Sequence, residues 1–272
     1  MQSMVDCSSE KMELCDKSFY VSNILDEIKT EDSWSIVEIK ILILLLKELS
    51  DFRMYLKKSD SIDSLDSDAI LEHLEEVPLN YKFDKSLIQS ITNISSTNFS
   101  RDIKKTCKSM IKKVVDTPSP LDPNNPKSFK LFSWFTDAEY IEKDQIIKIS
   151  LHVEMVKRLA VFRQYTSLDY GMIFSLNNAY SLKVYLSCKI MLSRYKTNES
   201  IKLELDSFKH KIGLKGKYSK PSLFEKYVLL VIKDEIKNLT DINFDRTLFT
   251  TDFMVLHSFQ EKMFDSPVTQ RV

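Results

Sequence analysis

Apolar residues run almost without interruption from Ile36 to Leu49, so a helix over this stretch is apolar around its whole circumference. Such a helix is buried on most sides, unlike a surface helix with one apolar face. Ser35 and Glu38 stand in the spacing of a capping box, in which serine and glutamate each accept a backbone N–H near the helix start. The stretch therefore predicts a buried helix at the centre of a core.

A second helix is predicted over residues 99–113, where apolar and basic positions separate onto opposite faces. Ser100 is placed to cap its first turn. The apolar face consists of Ile103, Cys107, Met110, Ile111 and Val114. This pattern predicts one buried side and one side turned toward solvent.

The segments after this helix predict a loop, a hairpin and another helix. Residues 116–127 hold four of the seven prolines and predict a loop. Residues 128–135 and 145–151 alternate apolar with polar positions, as two hairpin strands do, and a helix follows over 152–162. A helix, a loop and a hairpin in this order are the layout of a winged-helix domain.

The second half repeats this order. It predicts a helix over 181–195, a strand over 201–205, a short helix over 206–212 ended by Gly213, a longer helix from Pro221 to about Asn238, and a hairpin of 242–246 with 253–259. The repetition indicates an internal duplication. We therefore expect an α+β, mainly helical protein of two tandem winged helix-turn-helix domains with small β-hairpin wings, over 20–170 and 171–265.

The longer helix of the second half is predicted to have an inner and an outer side. Its apolar stripe consists of Phe224, Val228, Val231 and Ile232. The residues roughly opposite are Ser222, Lys226, Leu229 and Lys233. At helical spacing, the apolar stripe would pack against the rest of the domain, and the residues opposite would be available for contacts with another molecule.

Charge is distributed unevenly along a chain with no net charge. The 272 residues include 39 basic and 39 acidic side chains. Residues 1–80 carry 8 basic and 18 acidic side chains, whereas 176–272 carry 16 and 11. Bulk charge therefore gives no argument for nucleic acid, and only local clusters remain to be weighed.

Two clusters concentrate the positive charge. The five lysines between Ser207 and Leu223 have no acidic neighbour; they are Lys209, Lys211, Lys215, Lys217 and Lys220. The outer face of the 99–113 helix holds Arg101, Lys104, Lys105, Lys108 and Lys112. Phosphate binding requires such clusters beside helices, but solvated faces also carry them, so charge alone leaves both readings open.

Composition excludes several other classes of protein. Three glycines, at Gly171, Gly213 and Gly216, are too few and too scattered for a glycine-rich nucleotide loop. The strongest apolar run has six residues, 41–46, far short of the roughly 20 that a membrane span needs. Charged residues occupy the place of a signal peptide's apolar stretch. We expect a cytoplasmic protein without a membrane association.

Cysteines and histidines show no arrangement typical of a metal centre. The four cysteines and four histidines are scattered, and no CxxC or His-x-His pair occurs. We expect structural or surface roles for them, with no metal, no cofactor and no catalytic residue. A nicking enzyme that uses a tyrosine and a metal held by paired histidines is therefore disfavoured.

The residues around the longer helix resemble the iteron-binding plasmid replication initiators of the Rep3 type. The signature region of that family is matched by Tyr218, Phe224, Val228, Glu235, Ile236, Thr240 and Asp241. An upstream motif is matched by Tyr180, Ser181, Leu182, Lys183 and Tyr185, with lysine in place of arginine. Segments 162–170 and 132–135, and the helix starting near Trp34, also match in order.

The resemblance implies two tandem winged-helix domains with different tasks. The C-terminal domain would supply the principal recognition helix, and the N-terminal domain would dimerise and add DNA contacts. Monomers would bind double-stranded DNA at the direct repeats of an origin, called iterons, and open it. Dimers would repress the chain's own gene. The host replication initiator and the replicative helicase would be partners.

On this basis the residues of the second half divide into base readers and phosphate contacts. Lys226 is the best candidate for reading bases, assisted by Ser222 and Lys233. Glu225, where the family often has a basic residue, either accepts from a cytosine amine or faces solvent. The phosphate contacts would be Lys209, Lys211, Lys215, Lys217 and Lys220. A dimeric repressor or partition protein without initiation activity is the alternative, because one fold supports both functions.

Overall fold

A computed structural model of the chain describes residues 5–7, 18–22, 34–59, 77–119, 121–122, 124–160, 165–195, 201–243, 246–249, 253–257 and 260–261. The chain forms two compact units, residues 1–170 and 171–272. No helix in these ranges is both long and apolar enough to span a membrane.

The first unit contains eight strands and four α-helices among its described residues. In chain order they are β1 (Val5–Cys7), β2 (Ser18–Ser22), α1 (Ile36–Ser59), β3 (Asn80–Asp84), α2 (Lys85–Thr92), α3 (Phe99–Ile111), β4 (Val114–Pro118), β5 (Phe129–Ser133), β6 (Phe135–Ile141), β7 (Ile146–Leu151), α4 (Val153–Ala160) and β8 (Tyr165–Asp169). Helix α5 (Tyr170–Ser175) follows at the boundary.

The main sheet of the first unit has the strand order β1-β3-β7-β6. β3 and β6 both pair antiparallel with β7, so Tyr81 lies opposite Ile149 and Phe83 opposite Ile147. These four side chains are buried, because alternate residues of a strand point to the same face. The elements α1, β3, α2, α3, β6 and β7 thus form a winged helix, with β6 and β7 as its wing.

The second unit repeats this topology. Its elements are α6 (Ala179–Tyr195), β9 (Ile201–Glu204), α7 (Leu205–Lys211), α8 (221–239), β10 (Ile242–Asn243), β11 (Arg246–Phe249), β12 (Phe253–His257) and β13 (Gln260–Glu261). The strand order β11-β12-β9 corresponds to β6-β7-β3 of the first unit. The expected fold, two tandem winged-helix domains with small wings, is confirmed.

Strand pairing in the first unit differs from the sequence prediction. The segment 129–133 does not form a hairpin with 146–151; it pairs back with Val114–Pro118. The partner of β7 is instead β6, which the sequence pattern did not identify. Residues 116–118 consequently lie in a strand rather than in a loop. The period-2 pattern identifies a strand, but it does not identify its partner.

The terminal hairpin of the second unit is also shifted from its predicted position. Arg246–Phe249 pairs with Phe253–His257, whereas Ile242–Asn243 pairs with Gln260–Glu261. The hairpin therefore exists, but its first strand begins at Arg246, the residue at which the predicted strand 242–246 ended.

Helix α1 begins with the predicted capping box. The Ser35 N–H donates to Glu38 Oε2 at 2.6 Å, and the Glu38 N–H donates to Ser35 Oγ at 3.3 Å. Every residue from Glu38 to Lys47 is buried, as expected for a helix at the centre of the core. The capping carboxylate is thus buried as well.

The other oxygen of the capping carboxylate faces a buried lysine. Lys113 Nζ lies 3.8 Å from Glu38 Oε1, and both side chains are only 3% exposed. The same ammonium lies 5.6 Å from the centroid of the Trp34 ring. A buried carboxylate of this kind requires its cation, since an uncompensated buried charge is costly.

We expect Lys113→Met to lower the free energy of unfolding by about 3–5 kcal/mol, because it leaves the Glu38 carboxylate buried without its cation. Urea denaturation measures the change. The double variant Glu38→Gln/Lys113→Met leaves no unpaired charge and should lose much less. Lys112→Met, at the exposed neighbouring position, is the control. The prediction would be contradicted if Lys113→Met lowered the free energy of unfolding no more than Lys112→Met does.

Candidate nucleic-acid interface

Helix α3 presents the predicted basic face. The side chains of Arg101, Lys104, Lys105, Lys108 and Lys112 are all exposed. On the opposite side, Phe99, Ile103, Cys107 and Met110 are buried in the first unit. Buried apolar residues therefore fix the rotation of the helix, and this rotation places Arg101, Lys104, Lys105 and Lys108 on its outer surface, with Lys112 exposed just beyond its end.

Three details of α3 differ from the sequence prediction. The helix begins at Phe99, so Ser100 lies inside its first turn, and the N-cap is Asn98, whose side chain makes no capping hydrogen bond. Ile111 and Val114 are exposed, although their spacing placed them with the apolar face. The helix ends at Ile111, so helical spacing no longer determines the side on which Val114 lies.

The wing of the first unit does not add to this positive surface. Its turn carries Glu142, Lys143 and Asp144, which are all exposed. On the strands, Lys148 Nζ forms an ion pair with Glu139 Oε2 at 3.2 Å. The positive charge in this part of the unit therefore belongs to α3 rather than to the hairpin beside it.

The buried cysteines of the described residues have the character of core side chains. Cys107 and Cys188 are buried and form no disulfide bond. Burial raises the pKa of the Cys107 thiol to about 11, so it stays protonated and unreactive near neutral pH. Within the described ranges, no three His, Cys, Asp or Glu side chains are grouped to hold a metal ion.

In the second unit, the turn between α7 and α8 exposes three of the predicted lysines, Lys215, Lys217 and Lys220. The turn uses left-handed backbone at Gly213 (φ +79°) and Gly216 (φ +71°). Glycine adopts this conformation without strain, and Gly213 follows α7 as expected for a helix-ending glycine. The turn therefore presents its lysines from a defined backbone.

Lys209 belongs to the interior rather than to this surface. It is 4% exposed, and its Nζ donates to the Tyr218 carbonyl at 3.0 Å. The ammonium lies 5.6 Å from the Phe224 ring centroid. The prediction of a phosphate contact at Lys209 is corrected accordingly, because the ammonium holds the far end of the turn. The side chain of Lys211 lies outside the described residues.

A second lysine supports the same turn from α6. Lys183 Nζ donates to the Ile212 carbonyl at 3.1 Å, which satisfies a carbonyl at the C-terminal end of α7. This structural role of Lys183 was not predicted from the sequence. The sequence signal that could have pointed to this role was the position of Lys183 in the family motif, where this chain has lysine and the family has arginine.

Helix α8 consists of three parts that differ in winding. Pro221–Phe224 and Leu230–Leu239 are α-helical, and Glu225–Leu229 between them forms a π turn. The Leu230 N–H donates to the Glu225 carbonyl, five residues back. A π turn adds one residue to a helical turn, so the residues beyond it shift to new positions around the helix.

This shift changes which apolar residues of α8 are buried. The inner side consists of Phe224, Val228, Leu229, Ile232 and Ile236. Leu229 is therefore buried although it was predicted to lie outside, and Val231 is exposed although it was predicted to lie inside. Regular α-helical spacing produced both errors.

The predicted base readers lie along the outer part of α8. Ser222 and Lys226 are exposed, and Lys233 and Glu225 are half-buried. The Lys226 ammonium lies 5.3 Å from the centroid of the Tyr227 ring, within cation–π range. Lys226 is thus the predicted reader with both an exposed side chain and a neighbour that orients it.

Two polar contacts attach α8 to α6 and to the segment before it. Glu235 Oε1 accepts the N–H groups of Asn177 and Asn178, at 2.6 and 3.3 Å, just before α6 begins. Beyond the end of α8, Asp241 Oδ2 accepts from Lys189 Nζ at 2.7 Å in a buried ion pair. Glu235 and Asp241 both belong to the family signature, and here they fix the position of α8.

Solved structures show similarity to this chain at low sequence identity. The crystal structure of the Pi initiator protein in complex with iteron DNA matches with a TM-score of 0.60 and 13% identity, covering 91% of this chain and 98% of that one. Domains 2 and 3 of RctB match with a TM-score of 0.45 and 10% identity, covering 84% and 83%. The WH1 domain of the replication protein MSBI1.176, isolated from a multiple sclerosis patient, has a TM-score of 0.26 and 14% identity, covering 46% and 82%.

Family models match most of the chain, although no protein of curated function matches its sequence. The model of the initiator replication protein WH1 domain matches residues 18–189, and that of the initiator Rep protein WH2 domain matches residues 204–251. Neither describes an enzyme. With the duplicated winged-helix topology and the basic helices, these matches establish that the chain belongs to the family of initiator replication proteins with WH1 and WH2 domains.

Proposed function

We propose that this chain is a sequence-specific, double-stranded DNA-binding initiator of plasmid replication, which binds the iterons of its origin and promotes origin opening. The observation that carries the proposal is the outer side of α8, exposed at Ser222 and Lys226 and preceded by a turn with three exposed lysines. The Pi initiator, which has the same fold, was solved in complex with iteron DNA.

We propose a role for each part of this surface from the way in which winged helices generally bind DNA. A recognition helix lies in the major groove with its N-terminal residues at base edges, so Ser222 and Lys226 are our candidate readers. Lys233, farther along the helix and half-buried, remains a candidate from the sequence. Lys215, Lys217 and Lys220 would neutralise phosphates beside the groove, and Lys211 remains a candidate from the sequence. The exposed face of α3 would provide auxiliary phosphate contacts.

Membership of the initiator family supports a proposal for the remaining partners. Opening of an origin leads to helicase loading, so we propose the host replication initiator and the replicative helicase as protein partners. We place the protein in the cytoplasm with its plasmid DNA. A repressor or partition protein would bind DNA without starting replication, and the family matches do not favour that alternative.

We also propose that the first unit mediates self-association through the β4–β5 ribbon. Val114, Phe129 and Leu131 lie on one face of this ribbon, 42%, 65% and 55% exposed. Apolar side chains grouped in this way typically mark a protein interaction surface. A second copy of the chain would cover the ribbon and produce the dimer.

The central experiment compares binding to direct repeats with binding to shuffled duplexes of equal length and composition. We expect the direct repeats beside the gene to be bound more tightly. Equal affinity for both duplexes would overturn the proposal. A minimal plasmid with the gene deleted separates the alternatives, because an initiator is required for replication and a repressor is required only for regulation.

Replacing Lys215 and Lys217 together with glutamine should weaken binding to every duplex. Each phosphate contact releases about 0.9 counterion when it forms. The loss of two contacts therefore makes the slope of log K against log salt concentration shallower by about 1.8. Titration at several salt concentrations measures the slope. The matched control replaces Lys82 and Lys127, which lie outside the proposed interface; an equal slope change in both variants would contradict the assignment.

Lys226→Ala should reduce the preference for repeats over random DNA by about tenfold or more, because a base contact is lost while the phosphate contacts remain. Competition binding measures this ratio. Asn238→Ala, at the exposed far end of α8, should leave the ratio unchanged. An unaltered ratio for Lys226→Ala would remove this lysine as a base reader.

The ribbon proposal predicts that Phe129→Glu/Leu131→Glu is monomeric at concentrations at which the unaltered chain dimerises. Charges at these positions oppose burial against a second copy. Sedimentation velocity distinguishes the two states. Leu121→Glu, at a loop position that is 95% exposed, is the control and should still dimerise. A double variant that dimerises like the control would contradict the proposal.

A further inference from the structure

Helix α8 carries a strip of exposed apolar side chains between its lysines. Leu223, Tyr227, Leu230 and Val231 are 39%, 55%, 53% and 56% exposed. Single exposed apolar residues are ordinary on protein surfaces. Four in adjacent turns of one helix, all outside its buried side, form an apolar strip on its solvent side, which indicates contact with another molecule.

The π turn is what extends this strip to Val231. The hydrogen bond from the Leu230 N–H to the Glu225 carbonyl adds one residue to the turn, which brings Leu229 inward and Val231 outward. With regular α-helical winding, Val231 would join the inner stripe, as its spacing predicts. π turns in helices frequently occur at functional sites. Here the turn adds apolar surface to the outer side.

Positive charge surrounds the N-terminal half of the strip. Lys220 and Lys226 are exposed on either side of Leu223, and Lys215 and Lys217 are exposed in the preceding turn. The acidic side chains of the outer part of α8 are Glu225, which is half-buried, and Asp234, which lies beyond Val231. An apolar strip beside positive charge is complementary to the major groove, where thymine methyl groups lie between two rows of phosphates.

We infer that the strip formed by Leu223, Tyr227, Leu230 and Val231 reads thymine by contact with its 5-methyl group. The preferred duplex then carries thymines where α8 enters the groove, and Lys226 reads a neighbouring base edge. This inference rests on the proposed function, because it requires α8 to lie in the major groove. An apolar strip is also suited to contact with a protein partner. The test below distinguishes that alternative from thymine reading.

Deoxyuridine in place of thymidine tests the inference, because it keeps the base pair and removes only the methyl group. The probe is the preferred duplex selected by the full chain from a random-sequence library. Each thymine facing α8 is replaced singly, and affinity is measured at constant salt. We expect a loss of about fourfold for each methyl group in contact. Replacements outside the α8 segment should have no effect.

Variants of the strip connect this loss to particular side chains. Tyr227→Ala and Val231→Ala should bring the thymine-to-uracil affinity ratio toward one at a contacted position, while binding of non-specific duplex is unchanged. Leu239→Ala is the matched control, an apolar residue at the far end of α8 that is 39% exposed. It should keep the full ratio. Circular dichroism establishes that each variant is folded.

Two results would overturn the inference in distinguishable ways. If the chain selects a preferred duplex but binds its uracil form equally well, the strip does not read thymine and belongs to a protein contact, while the proposed function stands. If no duplex is preferred over random DNA, the proposed function fails and the inference fails with it.

Discussion

The recognition surface depends on how firmly α8 is packed against its own unit. Its inner side is apolar and buried, and polar contacts act near both ends. Near the start, Phe224 lies against Phe208, with ring centroids 6.4 Å apart, and the ammonium of Lys209 lies beside it. Near the end, Glu235 accepts two backbone N–H groups. A helix held in this way cannot rotate to change its exposed residues, so the proposed base contacts depend on residues that the packing leaves exposed.

Lysines serve two physically different purposes in this chain. Lys113 and Lys209 are buried and direct their ammonium groups at a carboxylate or a carbonyl. Lys215 and Lys226 are exposed, and their charge is available to a polyanion. A buried ammonium requires such partners, because loss of hydration is costly. Local charge therefore identifies clusters of basic residues, but it overestimates the number of lysines whose charge is exposed to a polyanion.

Much of the fold was predictable from sequence because it depends on local signals. The capping box of Ser35 and Glu38, the helix-ending Gly213 and the helix start at Pro221 all involve residues close in sequence. The partners of β5 and β7 are different, since an alternating pattern does not determine which strands pair. The duplicated order of elements therefore predicted the architecture while one hairpin was paired wrongly.

The candidate site was predictable to the level of the helix but not to the level of its faces. Regular α-helical spacing put Val231 inside and Leu229 outside, and the π turn reverses both. Nothing in the local sequence distinguishes a five-residue turn from an ordinary one, because the choice depends on how the inner side fits its neighbours. Likewise, Lys183 and Lys209 acquire their roles only through carbonyls presented by the folded turn.

The two units place their positive charge on different structural parts, although they share a topology. In the first unit, charge lies on α3, and the adjoining wing turn carries Glu142 and Asp144 beside Lys143. In the second unit, it lies in the turn before α8, and the helix adds apolar side chains. Contacts made only by lysine and arginine to phosphate are insensitive to sequence, whereas a helix with mixed chemistry distinguishes base pairs. In the proposed function, the first unit thus strengthens binding and the second chooses the site.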